Sequence, residues 1–433
     1  MSFWLLTIYM LPIVFAVVFY QKRKHKKEQH SRHRMRESIQ AGLNEPSSLH
    51  PVVDPNVCIG CSACVKACPE KALGIVQRKA VLVDPAHCIG HGACKIACPV
   101  DGIHLVFGTE RRGMDIPQVD PTFETNVPGI FIAGELGGMG LIRKAVEQGK
   151  QAIDAIRSKK HGRQELDVVI VGAGPGGISA SLAAMQHGLR FVTIEQEDSF
   201  GGTVYHFPRN KIAMTAPVHL PIIGKVKMYE ISKEQLLEFW QGVIEKTGLK
   251  IKLNERLETL LAVDKGFLVT TSKGTYKTNN VLLALGRRGT PRKLDVPGEE
   301  QAKVVYRLID PQQYRGQQVL VVGGGDSAVE AALALADEPG TAVTLSYRSE
   351  AFSRLKPKNR QCLQTAEQQQ KLKVLLKSNV VSIEKDTVMI HYQGNSVTIK
   401  NDAVIISAGG ILPTPFLKEI GVMVETHHGT VRA

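Results

Sequence analysis

The pattern of apolar and polar residues separates three kinds of segment along the chain. Residues 2–20 are apolar and uncharged, and a strongly basic stretch follows them. Further along, apolar runs at 168–171 and 319–322 each lead into a glycine-rich turn, a helix-like pattern and a second apolar strand. Two more apolar strands, 281–285 and 403–406, also lead to glycines. This repeated alternation of strand, glycine turn and helix predicts an α/β fold with two nucleotide-type domains.

The N-terminal run predicts a membrane anchor. As an α-helix, residues 2–20 would be about 28 Å long, which is close to the thickness of a bilayer core. A secretory signal peptide carries its positive charges before the apolar run, whereas here they follow it. By the positive-inside rule the N-terminus would face outwards, with the body cytoplasmic and the helix crossing the cell inner membrane once. The basic residues are Lys22, Arg23, Lys24, Lys26, Lys27, Arg32, Arg34 and Arg36.

Composition limits the remaining classes of protein. A chain of 433 residues has room for two or three domains. Much of its formal charge of +13 lies in the basic stretch, which has affinity for anionic lipid, and no segment resembles a nucleic-acid recognition module. Seven of the eight cysteines lie in two short runs, and only Cys362 stands apart. This usage indicates a reducing compartment and no disulfide framework.

The two cysteine runs are near-repeats. Residues 58–69 read CIGCSACVKACP, and residues 88–99 read CIGHGACKIACP. Soft thiolates at these short separations can surround an iron–sulfur cluster, whereas zinc prefers CxxC pairs with a longer spacer. Residues 52–107 resemble a bacterial two-cluster ferredoxin, which is a small α+β domain. In that family the fourth cysteine of each run crosses over to the other cluster.

This resemblance implies two ligand sets for 4Fe–4S clusters. The sets are Cys58, Cys61, Cys64 and Cys98 for the first cluster, and Cys68, Cys88 and Cys94 for the second. His91 stands where the family has another cysteine. It would ligate iron through a ring nitrogen, or leave a 3Fe–4S cluster that lacks its corner iron, or mark a second cluster that has been lost. The first two interpretations are favoured, without a choice between them.

The first glycine turn has the pattern of a dinucleotide site. Gly172, Gly174 and Gly177 form GxGxxG directly after an apolar strand. The first two allow the backbone to turn and approach a pyrophosphate, and the third allows the helix to pack close to the strand. Glu195 ends the next strand, where a carboxylate can bind a ribose hydroxyl. Strand, helix and acid together predict a bound dinucleotide.

A second fingerprint begins at residue 319. Gly323, Gly325 and Ala328 occupy the GxGxxA positions. The following strand ends without a carboxylate and instead carries Arg348, with Arg354 soon after. Guanidinium groups there suit the 2′-phosphate of NADP, so NADPH is favoured over NADH. The alternative is that both arginines are merely solvated.

Two dinucleotide folds in one chain resemble the two-domain flavoprotein reductases, which include thioredoxin reductase and the glutamate synthase small subunit. The resemblance implies tandem Rossmann-like domains that bind FAD first and NAD(P) second. Residues 281–298 and 402–417 are similar to the crossovers between these domains, with Gly286 and Gly409 close to the cofactor or a neighbouring loop. The CxxC pair of thioredoxin reductases is absent, and Cys362 is interpreted as an ordinary thiol.

One segment of this family stands in an unexpected place. Residues 125–152 are similar to a stretch that normally follows the NAD(P) domain, but here they precede the first glycine turn. We expect a circularly permuted FAD domain in which Gly134 and Glu135 approach the flavin and its ribityl chain. Residues 431–433 should then lie near residues 112–116, whereas the alternative is an unrelated linker.

The expected organisation follows from these segments. The domains are a transmembrane anchor at 1–21, a basic juxtamembrane linker at 22–50, the ferredoxin domain at 51–108, the permuted FAD segment at 109–160, the FAD domain at 165–295, the NAD(P) domain at 296–408 and a return segment at 409–433.

These features predict a membrane-tethered NAD(P)H-dependent oxidoreductase that carries its ferredoxin in the same chain. FAD can take a hydride from NADPH and pass single electrons to iron–sulfur clusters. Tethering keeps electron donor and acceptor at high effective concentration. The sequence does not identify the external acceptor or donor, a protein or a quinone, and it leaves a homodimer open. The alternatives are reverse flow that reduces NADP and a redox sensor whose turnover is incidental.

Overall fold

The structure is a computed structural model that divides into two units. The smaller unit contains the described residues within 1–112, 351–357 and 428–433, and the larger unit those within 113–350 and 358–427. The described residues are 3–40, 45–46, 49–110, 113–138, 140–159, 164–207, 211–214, 217–287, 289–352 and 355–429.

The smaller unit contains both cysteine runs. Its helices and strands are α1 (Phe3–Gln40), β1 (His50–Val53), α2 (Ala63–Ala67), β2 (Leu73–Val76), β3 (Lys79–Leu82), α3 (Ala93–Ile96) and β4 (Ile103–Val106). Strands β2 and β3 form an antiparallel hairpin between the runs, and β1 pairs antiparallel with β4. Leu73, Ala80 and Ile103 share one small core with Cys64 and Cys94. The two runs are therefore packed around a common centre.

Helix α1 continues from the apolar run into the basic stretch. Lysine, arginine, glutamine and glutamate favour helix, and the expected linker at 22–50 is helical as far as Gln40. The Arg34 guanidinium donates to the Lys71 carbonyl at 2.8 Å and pairs with the buried Asp84 carboxylate at 3.1 Å. These contacts attach the basic part of α1 to the segment that follows the first cysteine run.

The transmembrane helix predicted for residues 1–21 is not supported by the structure. Among the helices formed by the described residues, none is both long enough and apolar enough to cross a membrane.

The larger unit contains two sheets of the nucleotide-binding type, which confirms the predicted α/β class. Its elements in chain order are β5 (Met114–Pro117), β6 (Ile130–Ile132), α4 (Ile142–Ser158), β7 (Leu166–Val171), α5 (Pro175–Gln186), β8 (Phe191–Ile194), β9 (Ile212–Met214), β10 (Val218–Leu220), β11 (Gly224–Val226), β12 (Glu230–Ser232), α6 (Lys233–Thr247), β13 (Leu257–Val263), β14 (Gly266–Thr271), β15 (Gly274–Leu283), β16 (Thr290–Pro291), β17 (Val304–Val305), β18 (Gln318–Val322), α7 (Asp326–Ala336), β19 (Ala342–Tyr347), α8 (Pro357–Gln368), β20 (Leu372–Leu376), β21 (Ser378–Ile383), β22 (Thr387–Tyr392), β23 (Asn395–Lys400), β24 (Ala403–Ile406), β25 (Gly410–Ile411), α9 (Thr414–Glu419) and β26 (Val424–His427).

The first sheet is built around β7 and β15. Strands β6, β15, β7 and β8 run parallel, and β14 and β13 extend the sheet in antiparallel fashion. Strand β6 pairs with the second half of β15, in the register Ile130 opposite Val281. Helices α4 and α5 cover one face, where Ile153 and Ile156 bury their side chains against Val168. The segment that precedes β7 in sequence is thus an integral part of this sheet.

The second sheet is parallel throughout. Its strand order is β17, β24, β18, β19, β20, and the strands β21 to β23 form a separate antiparallel sheet. The chain crosses between the first and second sheets along β16 and β25, which pair antiparallel with Thr290 opposite Ile411. Both crossovers follow the apolar strands that the sequence pattern identified.

Strands β5 and β26 bring the two ends of the larger unit together. They pair antiparallel over four residues, with Met114 opposite His427 and Pro117 opposite Val424. The predicted approach of residues 431–433 to residue 112 lies outside the described residues. Within them, the last strand of the chain pairs with the first strand after the two cysteine runs and β4.

Candidate cofactor sites

The first cavity of the smaller unit is lined by Cys58, Cys61, Cys64 and Cys98, the full set expected for the first cluster. The turn within the run depends on Gly60, whose φ is +69°. A side chain there would meet the Arg78 carbonyl oxygen at 2.0 Å, so the turn requires glycine. Folding thus brings thiols from both runs to one cavity.

The second cavity is lined by Cys68, Cys88 and Cys94, together with His91. Cys88 and Cys94 are buried, and His91 is half-buried in the loop that precedes α3. The structure therefore places a histidine at the position of a fourth ligand. This placement is compatible with both favoured interpretations of His91.

The chemistry of both cavities fits a cluster with a cationic iron–sulfide core. Burial is the main cause that raises the pKa of the Cys64 and Cys88 thiols to about 11, and burial also raises the pKa of Cys94. Metal ligation requires thiolates, and an iron centre stabilises the charge that burial disfavours. Within the described residues, no group of three or more potential ligands is positioned to hold a single metal ion.

The first glycine turn of the larger unit joins β7 to α5. Gly172 has a φ of +109°, and a side chain on it would lie 2.4 Å from the Ala284 carbonyl oxygen at the end of β15. A side chain on Gly177 would lie 1.8 Å from the Gly172 carbonyl oxygen. Gly174 immediately precedes α5, so the helix N-terminus points into the turn. This geometry suits the pyrophosphate of a dinucleotide.

Glu195 lies directly after β8 and beside the same turn. Its side chain is buried, with Oε2 accepting the Ala173 N–H at 2.7 Å and Oε1 accepting the Glu197 N–H at 3.1 Å. Burial raises the pKa of Glu195, and these two N–H groups oppose that effect. Each carboxylate oxygen keeps a second lone pair that can accept a ribose hydroxyl.

The structure brings Gly134 and Glu135 to the same region. A side chain built on Gly176 would lie 3.8 Å from the Gly134 Cα, so the segment adjoins the glycine turn. One built on Gly286 would lie 4.0 Å from Glu135 Oε2, and Thr203 Oγ1 donates to that oxygen at 3.4 Å. Glu135 therefore lies between the crossover strand and the loop after β8. The position suits a carboxylate that binds the polar chain of a flavin nucleotide.

Sequence reasoning missed Arg287, which is half-buried beside Glu135. Its Nη2 donates to the Asp115 carbonyl at 3.2 Å. Burial lowers the pKa of Arg287, while the charges of Glu135 and Asp115 oppose that effect. A charged residue directly after Gly286, where an apolar strand ends, was the available signal, because a buried charge needs partners.

The second glycine turn joins β18 to α7. Gly323 has a φ of +149°, and a side chain on it would lie 2.4 Å from the Ser407 carbonyl oxygen. Gly325 immediately precedes α7 and has open space around it, and Ala328 is buried in the first turn of the helix. Arg348 follows β19 and is exposed, whereas Arg354 lies outside the described residues.

Tyr347 is a second residue that sequence reasoning missed. A side chain on Gly324 would lie 2.1 Å from the Tyr347 ring, which therefore rests on the glycine turn. An aromatic residue at the end of β19 was the only signal in the sequence. Tyr347 and the exposed Arg348 thus follow one another at the end of β19, the strand that pairs with β18.

Comparison with known proteins identifies relatives of both units. A family model described as pyridine nucleotide-disulphide oxidoreductase matches residues 169–431, and a 4Fe-4S dicluster domain model matches residues 50–99. A ferredoxin–NADP reductase of Ignicoccus hospitalis is 29% identical over 262 residues, covering 59% of this chain and 81% of that protein. One of Thermus thermophilus is 31% identical over 274 residues, covering 60% and 77%. Among solved structures, the bacillithiol disulfide reductase Bdr of Staphylococcus aureus is 27% identical with a TM-score of 0.52, covering 60% and 80%.

Proposed function

Because the chain belongs to the pyridine nucleotide-disulphide oxidoreductase family and carries a 4Fe-4S dicluster domain, we propose that it exchanges electrons between NADPH and two iron–sulfur clusters through FAD. It is a flavin oxidoreductase. The proposal is carried by the two cavities of the smaller unit, each of which is lined by one expected ligand set. A disulfide substrate is disfavoured because residues 109–433 contain a single cysteine, Cys362, and no CxxC pair.

The residues of the larger unit divide the binding between them. When bound, FAD supplies the exchange between a two-electron hydride donor and one-electron clusters. The turn at Gly172 and Gly174 binds the pyrophosphate, and Glu195 accepts a ribose hydroxyl. Glu135 orients the ribityl chain. Arg348 binds the 2′-phosphate of NADPH, which favours this coenzyme over NADH.

The proposed FAD domain is circularly permuted, so that residues 113–158 complete it. This is supported by the parallel pairing of β6 with β15 and by the pairing of β5 with β26. A truncated chain that begins at residue 161 would lack β6 and α4, and we expect it to lose FAD. Full FAD affinity in that truncated protein would contradict the permutation.

Anaerobic titration of the full-length protein with NADPH tests electron exchange. The absorbance of FAD and the EPR signals of the clusters are followed together. We expect the flavin to be bleached and cluster signals to develop within the same chain. In a Cys58→Ser, Cys61→Ser double variant, the first cluster signal is lost while the flavin is still bleached. Clusters that are present but take no electrons from NADPH at any concentration would contradict the proposal.

Localisation at the inner membrane is a further part of the proposal. It rests on the apolar sequence of residues 2–20 and on the basic residues after them. The structure adds no support, because no helix of the described residues is long and apolar enough to cross a membrane. Fractionation tests it: the full chain should stay in the membrane fraction after alkaline carbonate extraction. A chain that begins at residue 22 should be released.

A further inference from the structure

The two halves of the ferredoxin domain can be compared position by position. In the near-repeats, Cys61 corresponds to His91, and the residue two positions after the last cysteine is Glu70 in one case and Val100 in the other. The last cysteine of each run is expected to bind the other cluster. Glu70, two residues after Cys68, should therefore lie at the second cavity, and Val100, two residues after Cys98, at the first. The lining of the cavities follows this exchange, with Val100 in the first and Glu70 in the second.

The second cavity therefore differs from the first at two equivalent positions, and the two differences have opposite electrostatic signs. Replacing a thiolate by a neutral imidazole at His91 removes one negative charge from the ligand set. Replacing valine by glutamate at residue 70 adds one negative charge to the cavity wall. Four thiolates surround the first cavity, and three thiolates with one carboxylate surround the second.

Glu70 is placed to act on the second cluster. It is half-buried, and within the described part of the chain it has no ion pair or hydrogen-bond partner that would neutralise its carboxylate. Glu70 lines the second cavity together with Cys68, Cys88 and Cys94. The carboxylate is thus close enough to influence a ligand of the second cluster.

We propose that Glu70 supplies, from outside the ligand set, the negative charge that the second cluster lacks at His91. A nearby anion disfavours the extra electron of a reduced cluster, so Glu70 lowers the reduction potential that His91 alone would raise. The proposal rests on the two clusters of the proposed function. It makes Glu70 a residue that sets the potential without ligating iron.

The test is EPR-monitored redox titration of the full-length protein and three variants. Glu70→Gln removes the charge and keeps the shape, and it should raise the midpoint potential of the second cluster while leaving the first nearly unchanged. The reciprocal variant Val100→Glu should lower the potential of the first cluster. Asp101→Asn is the matched control, because Asp101 lines neither cavity, and it should shift neither potential.

An unchanged potential of the second cluster in Glu70→Gln would overturn the proposal. If that variant loses the second cluster, the comparison moves to His91→Cys, where a fourth thiolate secures the iron. The double variant His91→Cys, Glu70→Gln should then show a higher potential than His91→Cys alone, and equal potentials would overturn the proposal. Iron analysis of the unaltered protein distinguishes a failure of this proposal from a failure of the proposed function. The absence of a second cluster would contradict the proposed function itself.

Discussion

The two glycine turns of the larger unit begin in the same way. Gly172 and Gly323 both have positive φ, and a side chain on either would lie 2.4 Å from a carbonyl oxygen of the neighbouring crossover strand. They differ at the third position of the motif. A side chain on Gly177 would lie 1.8 Å from the Gly172 carbonyl oxygen, whereas the second turn accommodates the methyl group of Ala328. The helix thus approaches the strand more closely in the first turn.

The residue that follows the second strand differs as well. Glu195 is 7% exposed and its carboxylate is fixed by two backbone N–H groups, whereas Arg348 is exposed directly after β19. A buried acid and a closely packed helix suit a cofactor that stays bound. An open turn with an exposed arginine suits a coenzyme that binds and leaves. The two turns therefore share a motif and differ in packing and burial.

Gly177→Ala should have the largest effect of the variants that test the difference between the two turns. The added methyl group has no room beside the Gly172 carbonyl, so α5 must move away from β7. We expect a loss of about 3 kcal/mol in the free energy of unfolding, at the upper end for overpacking, together with loss of FAD. Thermal unfolding and the flavin content after gel filtration measure both. Retention of full flavin content would show that the first turn tolerates a wider helix separation.

Arg348→Ala should alter the coenzyme preference by a smaller amount. Loss of a charge-assisted contact with the 2′-phosphate should raise the Michaelis constant for NADPH about tenfold, or about 1.4 kcal/mol. The constant for NADH should change little. Steady-state kinetics with both coenzymes measures the ratio, and Arg256→Ala, an exposed arginine of the first domain, serves as the control. Equal effects on the two coenzymes would contradict the role of Arg348.

Ala328→Gly is the counterpart of the first variant and should have a mild effect. Removing the methyl group relieves no clash, and glycine in a helix costs about 1 kcal/mol relative to alanine. FAD content should be unchanged, and NADPH should still bind. Thermal unfolding and flavin content measure the result. A defect as large as that of Gly177→Ala would mean that the two turns are equally close-packed.

Glu195→Gln should have the smallest effect of these variants, a change in how the free energy of unfolding depends on pH. Burial raises the pKa of Glu195 above its ordinary value of 4.5, so the folded state holds a proton that the unfolded state releases. In FAD-free protein the free energy of unfolding should therefore fall as pH rises from about 4.5 towards the raised pKa. The glutamine variant should lack this fall. Denaturant unfolding across that pH range measures this fall. Identical pH profiles for the two proteins would contradict the raised pKa of Glu195.

The sequence was informative wherever function depends on residues close together in the chain. The spacing of the cysteines grouped two ligand sets, and each set lines one cavity. The glycine motifs identified both strand–turn–helix units because a close backbone approach excludes side chains at particular positions. The family resemblance was confirmed for the flavoprotein and for the dicluster domain.

Other features depended on partners that local patterns do not contain. The attachment of the basic stretch was missed because Arg34 of α1 contacts Lys71 and Asp84, which lie far along the chain. The transmembrane anchor, inferred from hydropathy alone, found no support in the structure. Arg287 escaped notice because its importance comes from burial beside Glu135, about 150 residues earlier.

Short-range spacing thus determined which residues are the candidate cofactor-binding residues of this chain, because turns and capped helices are set by a few consecutive residues. Tertiary structure decided which distant segments complete each site. The family resemblance predicted that residues 125–152 lie near the first glycine turn, and the sheet supplies the pairing of β6 with β15 and of β5 with β26, with Glu135 near Gly286. The reason is physical: strand pairing across long separations is selected by burial of apolar surface in the whole core, and no local pattern encodes that choice.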